Sequence, residues 1–369
     1  METKHFNSRR LFCATAGIDS PGSLSIANGR IVEVSLSADR RDEAPELEVD
    51  VLLPGLIDLH CHIGSGLSVY GVPPSMVLAS GVTMACSQGD AGAQTVDRYV
   101  SEVIRPSANG IKLAINLSAV GESLKTGCFH EASTIDVNAC IKALERHREH
   151  IWAVAVNASH QACPTLDPRD VLNAGLEVSR ETRLPILYGM RRPGDWPLAE
   201  QLAFLRQGDV VTYCFRKSPH CIVKNGRVID CVLDARARGV LFDLGHGCGS
   251  FDFDVAETAI GCGFLPDTIS TDLQARHLSQ GTRHDLPLVM SKLRAAGMRE
   301  LDIYKAVTMT PARLIGESEP RGLVTGVIAD LTLLNESCAE VVLEDTSGNS
   351  RRGKVWTATQ VFVEGESRL

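Results

Sequence analysis

Residues 51–64, VLLPGLIDLHCHIG, place His60 and His62 one residue apart at the end of an apolar run. Alternate residues of a strand share a face, so the two imidazoles point the same way and are close enough to share an ion. Cys61 between them points into the opposite layer, as packing. Asp58, two residues before His60, falls on the histidine face and could orient one ring. A lone strand histidine is ordinarily a satisfied core residue. Two on one face at a strand's end point instead to a site, and what matters next is what the rest of the chain brings to it.

Eight apolar runs recur along the middle of the chain: 56–62, 81–88, 111–119, 151–159, 184–190, 209–215, 239–247 and 267–273. They are continuous rather than alternating, as expected of strands covered on both faces. Helical stretches separate them. STIDVNACIKALERHREH opens on a Ser/Thr/Asp cluster, and DPRDVLNAGLEVSRET has proline at an early helical position. Eight such units predict a (β/α)8 TIM barrel, whose chemistry sits at the C-terminal ends of the strands. His60, His62, His246 and Asp272 all fall there. The first fifty residues read as short strands, with SLSIANGRIVEVS turning at Asn28-Gly29, a strong hairpin signal. GVIADLTLLNE and GKVWTATQVFVEGE near the other end read alike, so both termini should join in one small β-sandwich. The expected divisions are 1–53, 54–321 and 322–369.

The 369 residues are 44% hydrophobic and carry a formal net charge of -8, which supplies a core and gives no basic footprint for nucleic acid. The apolar runs are too short to span a bilayer, and METKHFNSRRLFCATAG lacks a signal-peptide core, so a cytoplasmic protein is expected. Twelve scattered cysteines, none in a CxxC pair, read as reduced and mostly buried thiols, Cys61, Cys86 and Cys214 among them.

LPGLIDLHCH resembles the opening motif of the amidohydrolase superfamily. FDLGHGCGSFDFDVAETAIGCGFLPDTISTDLQARH and DLPLVMSKLRAAGMRELDIYKAVTMTPARLIG resemble its dihydroorotase-like amidohydrolase/deacetylase branch, and GLVTGVIADLTLL its return to the β-sandwich. The likeness covers roughly 10 to 365. It implies a divalent ion, zinc by preference, held by His60, His62 and Asp272, which lowers the pKa of a water. Asp272 would also be the base that moves a proton from that water to the leaving group. The reaction class implied is hydrolysis of an amide, cyclic amide or related ester. His246 would contact substrate or reacting water.

The sequence departs from that branch at several positions. Ala155 stands where a carboxylated lysine bridges two metals, and Asn157 where a substrate-binding arginine is expected. Gly189 replaces a ligating histidine, Tyr213 replaces another, and Ser87 stands where an aspartate is common. One ion is therefore expected rather than two, with none as the other outcome. His160, His220, Cys163, Cys214 and Cys221 are candidate replacement ligands. Tyr213 could donate to a developing oxyanion, and Arg191 or Arg192 could clamp an anionic substrate. The expected partner is a small molecule, with no nucleic acid or membrane, and the resemblance implies a homo-oligomer. Two readings stay open: a metal-dependent hydrolase with a reduced site, or a barrel retained as a ligand-binding or scaffold protein.

Overall fold

The computed structural model describes residues 3–36, 45, 47–191, 194–317 and 322–369. Seven of the eight apolar runs form one parallel sheet in chain order: Leu56–Cys61, Val82–Gln88, Gly110–Asn116, Ile151–Asn157, Ile186–Gly189, Val210–Thr212 and Leu241–Phe242. The eighth run, 267–273, is extended but pairs only at points. Thr268 bridges Asp243 in parallel. The Gly247 N–H donates to the Thr271 carbonyl at 2.9 Å, and the Asp272 N–H to the His60 carbonyl at 2.7 Å. These contacts join the last strand to both the seventh and the first, closing the (β/α)8 barrel.

The seam is irregular because its residues are Asp, Ser and Thr, whose side chains compete with the backbone ladder. Asp58 accepts from the Thr271 N–H at 3.1 Å and the Thr271 hydroxyl at 2.5 Å. Asp243 accepts from the hydroxyls of Thr212, Thr268 and Ser270 at 2.8, 2.7 and 2.6 Å. The seam is thus held by buried carboxylates as much as by strand pairing.

Two helices anticipated from sequence form as their caps dictate. Asp136 caps Val137–Arg146 by accepting from the Ala139 N–H, and Asp167 precedes Pro168–Thr182, with the proline in its first turn. Pro168–Thr182 buries Val171, Leu172 and Leu176 in the same core as the outward residues of the barrel strands, such as Val154 and Val156. Ile57, Leu59, Met84, Trp152 and Leu187, which lie earlier on their strands, form a separate cluster.

The two termini build one seven-stranded sheet. Its order runs Glu366–Ser367, Trp356–Val363, Leu331–Glu336, Leu47–Pro54, Lys4–Cys13, Ile18–Ala27, Arg30–Leu36. Ala27 pairs with Arg30 across a two-residue loop, and both Asn28 and Gly29 have positive φ, as this hairpin turn requires. Phe6 and Phe362 meet at 5.2 Å although two strands separate theirs in the sheet. A flat sheet would hold them roughly 14 Å apart, so the sheet curls over its own core. None of the described helices is long and apolar enough to cross a membrane.

Replacing Asp58 by alanine strips the acceptor from the Thr271 and His60 donors. Urea unfolding should show a loss of about 3 kcal/mol, whereas an exposed acid such as Glu181 should tolerate the same change within about 0.5 kcal/mol.

Candidate metal centre and active site

Pairing between the first two barrel strands is irregular from Asp58 to Cys61. Ile57 and Leu59 pack in the inner cluster, yet Cys61 packs in the outer one, so the alternation slips just before the histidines. His60 and His62 still reach one site, as the spacing predicts. Asp58 does not orient a ring: its Oδ1 accepts the backbone N–H of His60 at 3.3 Å, and the rest of the carboxylate is taken by Thr271.

Each imidazole is anchored through Nδ1. His62 Nδ1 lies 3.0 Å from Asp90 Oδ1, and the other oxygen of Asp90 accepts from the Ile63 N–H at 2.8 Å and from the Ser87 hydroxyl. His60 Nδ1 lies 2.9 Å from Thr212 Oγ1. That hydroxyl donates its own proton to Asp243, so the imidazole must donate to it. Both rings are thereby fixed with Nε2 turned the other way, where the two nitrogens face Asp272 Oδ1 at 3.5 and 3.3 Å. Oriented ligand histidines have this arrangement, with the far nitrogen tied to protein oxygen.

The spacing tests whether a cation fits. Hydrogen bonds from imidazole to carboxylate are about 2.7–2.9 Å, and His60 Nε2, wholly buried, makes none. Two ligands of one tetrahedral ion at about 2.1 Å stand roughly 3.4 Å apart, which matches 3.3 and 3.5 Å. His60, His62 and Asp272 form the one group among the described residues whose ligand atoms converge in this way. The residues fit a divalent ion. Burial disfavours charge on His60, yet Asp272 and Asp243 outweigh it and hold its pKa up to about 9. Burial likewise opposes ionisation of Asp272, but His60 and His62 overcome it and keep the carboxylate ionised.

Asp272 sits at φ 48°, a conformation few non-glycine residues adopt. Its Oδ2 lies against Gly247, where a Cβ would fall 2.3 Å away. This close approach explains the second glycine of GHG.

His62 and Asp272 open into a cavity of about 50 Å3 that Tyr70, Glu122, Asn157, Tyr213 and Arg276 also line. Asn157 and Tyr213 are thus among the residues lining this cavity, and the Tyr213 ring lies 5.4 Å from that of His60. Arg191 does not. Its guanidinium pairs with both oxygens of Asp195 and donates to the carbonyls of Ala158 and Cys163, leaving no fork for an anion. Arg192 lies outside the described residues. His246 is also turned elsewhere: Nδ1 donates to the Gly247 carbonyl, Nε2 accepts from Lys292 Nζ at 3.0 Å, and the ring stacks on Phe251. It braces the glycine that touches Asp272 and does not line the cavity. Among the replacement ligands, His160 is exposed, and none of His160, His220, Cys163, Cys214 and Cys221 joins the convergent group.

Four residues escaped the sequence reading. Asp90 supplies the carboxylate missing at Ser87, three residues later in QGDAG. Thr212 and Asp243 orient His60, and Glu122 brings a further buried carboxyl, pushed up to about 7 by burial. Asp243 carried a signal, since FDLGHG lies within a quoted motif. Asp90 and Glu122 look like ordinary loop acids.

A barrel with two imidazoles and a carboxylate converging at its mouth has the layout of metal-assisted hydrolases. No family model matches the chain. It is 32% identical to a deacetylase of Brucella anthropi over 319 residues, covering 85% of this chain and 79% of the relative. It is 30% identical to a deacetylase of Agrobacterium fabrum over 333 residues, covering 89% and 81%. A crystal structure of a dihydroorotase superposes with TM-score 0.88 at 27% identity, covering 100% of this chain and 97% of the other. The chain belongs to the amidohydrolase superfamily, in its dihydroorotase-like amidohydrolase/deacetylase branch.

Asp90→Ala should lower zinc affinity by about 10- to 100-fold, read by chelator competition, because His62 loses its anchor. His246 yields a pH signature. Burial first, then the Lys292 ammonium, hold its pKa well below the ordinary value. As pH falls below about 6.5 the unfolded chain takes up a proton that the fold refuses, so stability drops by up to about 1.4 kcal/mol per pH unit. Urea midpoints at pH about 7.5 and about 5.5 should separate more in the wild type than in His246→Gln.

Proposed function

We propose that this protein is a zinc-dependent amidohydrolase that cleaves a C–N bond of a small amide, in the manner of a deacetylase, with one ion in its site. The observation that carries this reading is the convergence of two Nδ1-anchored imidazoles on one oxygen of Asp272. Three protein ligands that leave a position open are what a catalytic zinc site needs. Bound there, a divalent ion would supply Lewis acidity, drawing the pKa of water toward neutrality.

The chain's own residues do the rest. His60 and His62 hold their positions because Asp90 and the Thr212–Asp243 pair fix the far sides of the rings. Asp272, kept ionised, accepts a proton from the attacking water and passes it to the leaving nitrogen. Tyr213 and Asn157 flank the substrate, and the tyrosine hydroxyl is the candidate donor to the developing oxyanion. The alternative, a ligand-binding barrel without catalysis, draws on Ala155 and Gly189, which offer no ligand atoms.

The test is metal analysis joined to turnover. Chelator-washed protein reconstituted with zinc should hold about one equivalent per chain. Against a panel of N-acyl amines and cyclic amides, Asp272→Asn should lower kcat by about 100-fold or more. Binding of less than about a tenth of an equivalent, with no turnover across the panel, would leave the scaffold reading.

A further inference from the structure

One carboxylate in the cavity has no part in the chemistry just described. Glu122 is 6% exposed and lines the same small space as His62 and Asp272. Among the described residues no hydrogen bond or ion pair reaches its carboxylate, and its ligand atoms do not join the His60–His62–Asp272 group. The side chain is not a loose loop residue. Its backbone N–H donates to the Gly89 carbonyl at 3.0 Å, and its carbonyl accepts from the Val69 N–H at 2.9 Å. Gly121 beside it packs so closely on Ala91 that a Cβ would fall 2.7 Å from its Cα. The turn 121–123 therefore holds a buried carboxylate at a fixed place in the cavity.

Burial is the main cost of ionising Glu122; the nearby imidazoles of His62 and His60 ease it, while Asp90 and Asp272 add like charge. Arg276 reaches the rim of the cavity, but it is exposed and forms no ion pair with Glu122. What the Glu122 carboxylate lacks, among the described residues, is a direct hydrogen-bond or ion-pair partner, which a substrate could bring. Resting on the reading of this cavity as the substrate site, we propose that Glu122 recognises a cationic nitrogen of the substrate. The amides cleaved here would then be those of small basic amines, N-acyl diamines and their relatives, rather than of neutral or acidic amines.

The probe pair is n-propylguanidinium and its neutral, nearly isosteric counterpart n-propylurea. The guanidinium stays charged at any working pH and is a poor zinc ligand. Calorimetric titration of wild-type protein, zinc-loaded and zinc-free, should show the cation binding about 10-fold or more tighter than the urea. In Glu122→Gln the preference should fall below about 3-fold, with affinity for the urea and zinc content unchanged, and Glu122→Asp should restore part of it. No preference in the wild type, or a preference that survives Glu122→Gln, overturns the proposal. Loss of zinc from Glu122→Gln overturns it too, since Glu122 would then be serving the ion. Because the zinc-free titration needs neither metal nor turnover, it can succeed or fail independently of the hydrolase reading.

Discussion

Carboxylates buried at the barrel mouth outnumber the cations there, and the local structure follows from that imbalance. Asp58, Asp90, Asp243, Asp272 and Glu122 are all nearly inaccessible, and His60 and His62 are buried among them. Three of the five are made tolerable by neutral donors. Asp58 takes Thr271 and a backbone N–H, Asp243 takes three hydroxyls, and Asp90 takes Ser87 and the Ile63 N–H before it meets His62. Asp272 is kept ionised by His60 and His62, which leaves Glu122 as the carboxylate with no hydrogen-bonded or ion-paired partner among the described residues. The proposed ion would share Asp272 with the two imidazoles, and the proposed cationic substrate would meet Glu122.

The same interactions build the barrel and aim the rings. Asp243 bonds the sixth, seventh and eighth strands through Thr212, Thr268 and Ser270, and through Thr212 it fixes His60. Asp90 ties the loop after the second strand to Ile63 at the end of the first, and fixes His62. Positioning is thus inseparable from barrel closure, so the imidazoles need no metal to become oriented. Preorganisation of this kind lowers the ordering cost of binding.

The barrel and the histidine pair were legible because both rest on periodicity. Strand runs and an i, i+2 pair can be read along the chain, and the Asn28-Gly29 turn is local chemistry. What lay beyond reach depends on contacts between distant segments. Asp90 and Glu122 sit in loops of unremarkable composition, and only folding shows that one meets His62 and the other faces Asp272's cavity. Asp58 was misassigned because a simple two-residue alternation takes no account of the irregular pairing that begins there. Arg191 misled for a related reason. Its bidentate partner Asp195 lies four residues on, in a loop where spacing alone does not fix geometry.

The substituted ligand positions acquire a different meaning once packing is considered. A Cβ at Gly189 would fall 2.9 Å from Asn157 Oδ1, and one at Gly89 would fall 3.4 Å from the Ala155 side chain and 2.9 Å from Asn116 Nδ2. A side chain larger than glycine at 189 would therefore have to displace Asn157, and Gly89 lets the second strand's end lie close to Ala155. Ala155 and Gly189 offer no ligand atoms, and the glycines at 89 and 189 pack closely on Asn116, Ala155 and Asn157. An eroded binuclear centre would leave unpaired ligands or a void, both costly in a close-packed interior. Instead, among the described residues one set of possible ligand atoms converges, the His60–His62–Asp272 group. Repacking around a retained triad is the outcome expected when one ion suffices, and it argues for a reduced site over an abandoned one.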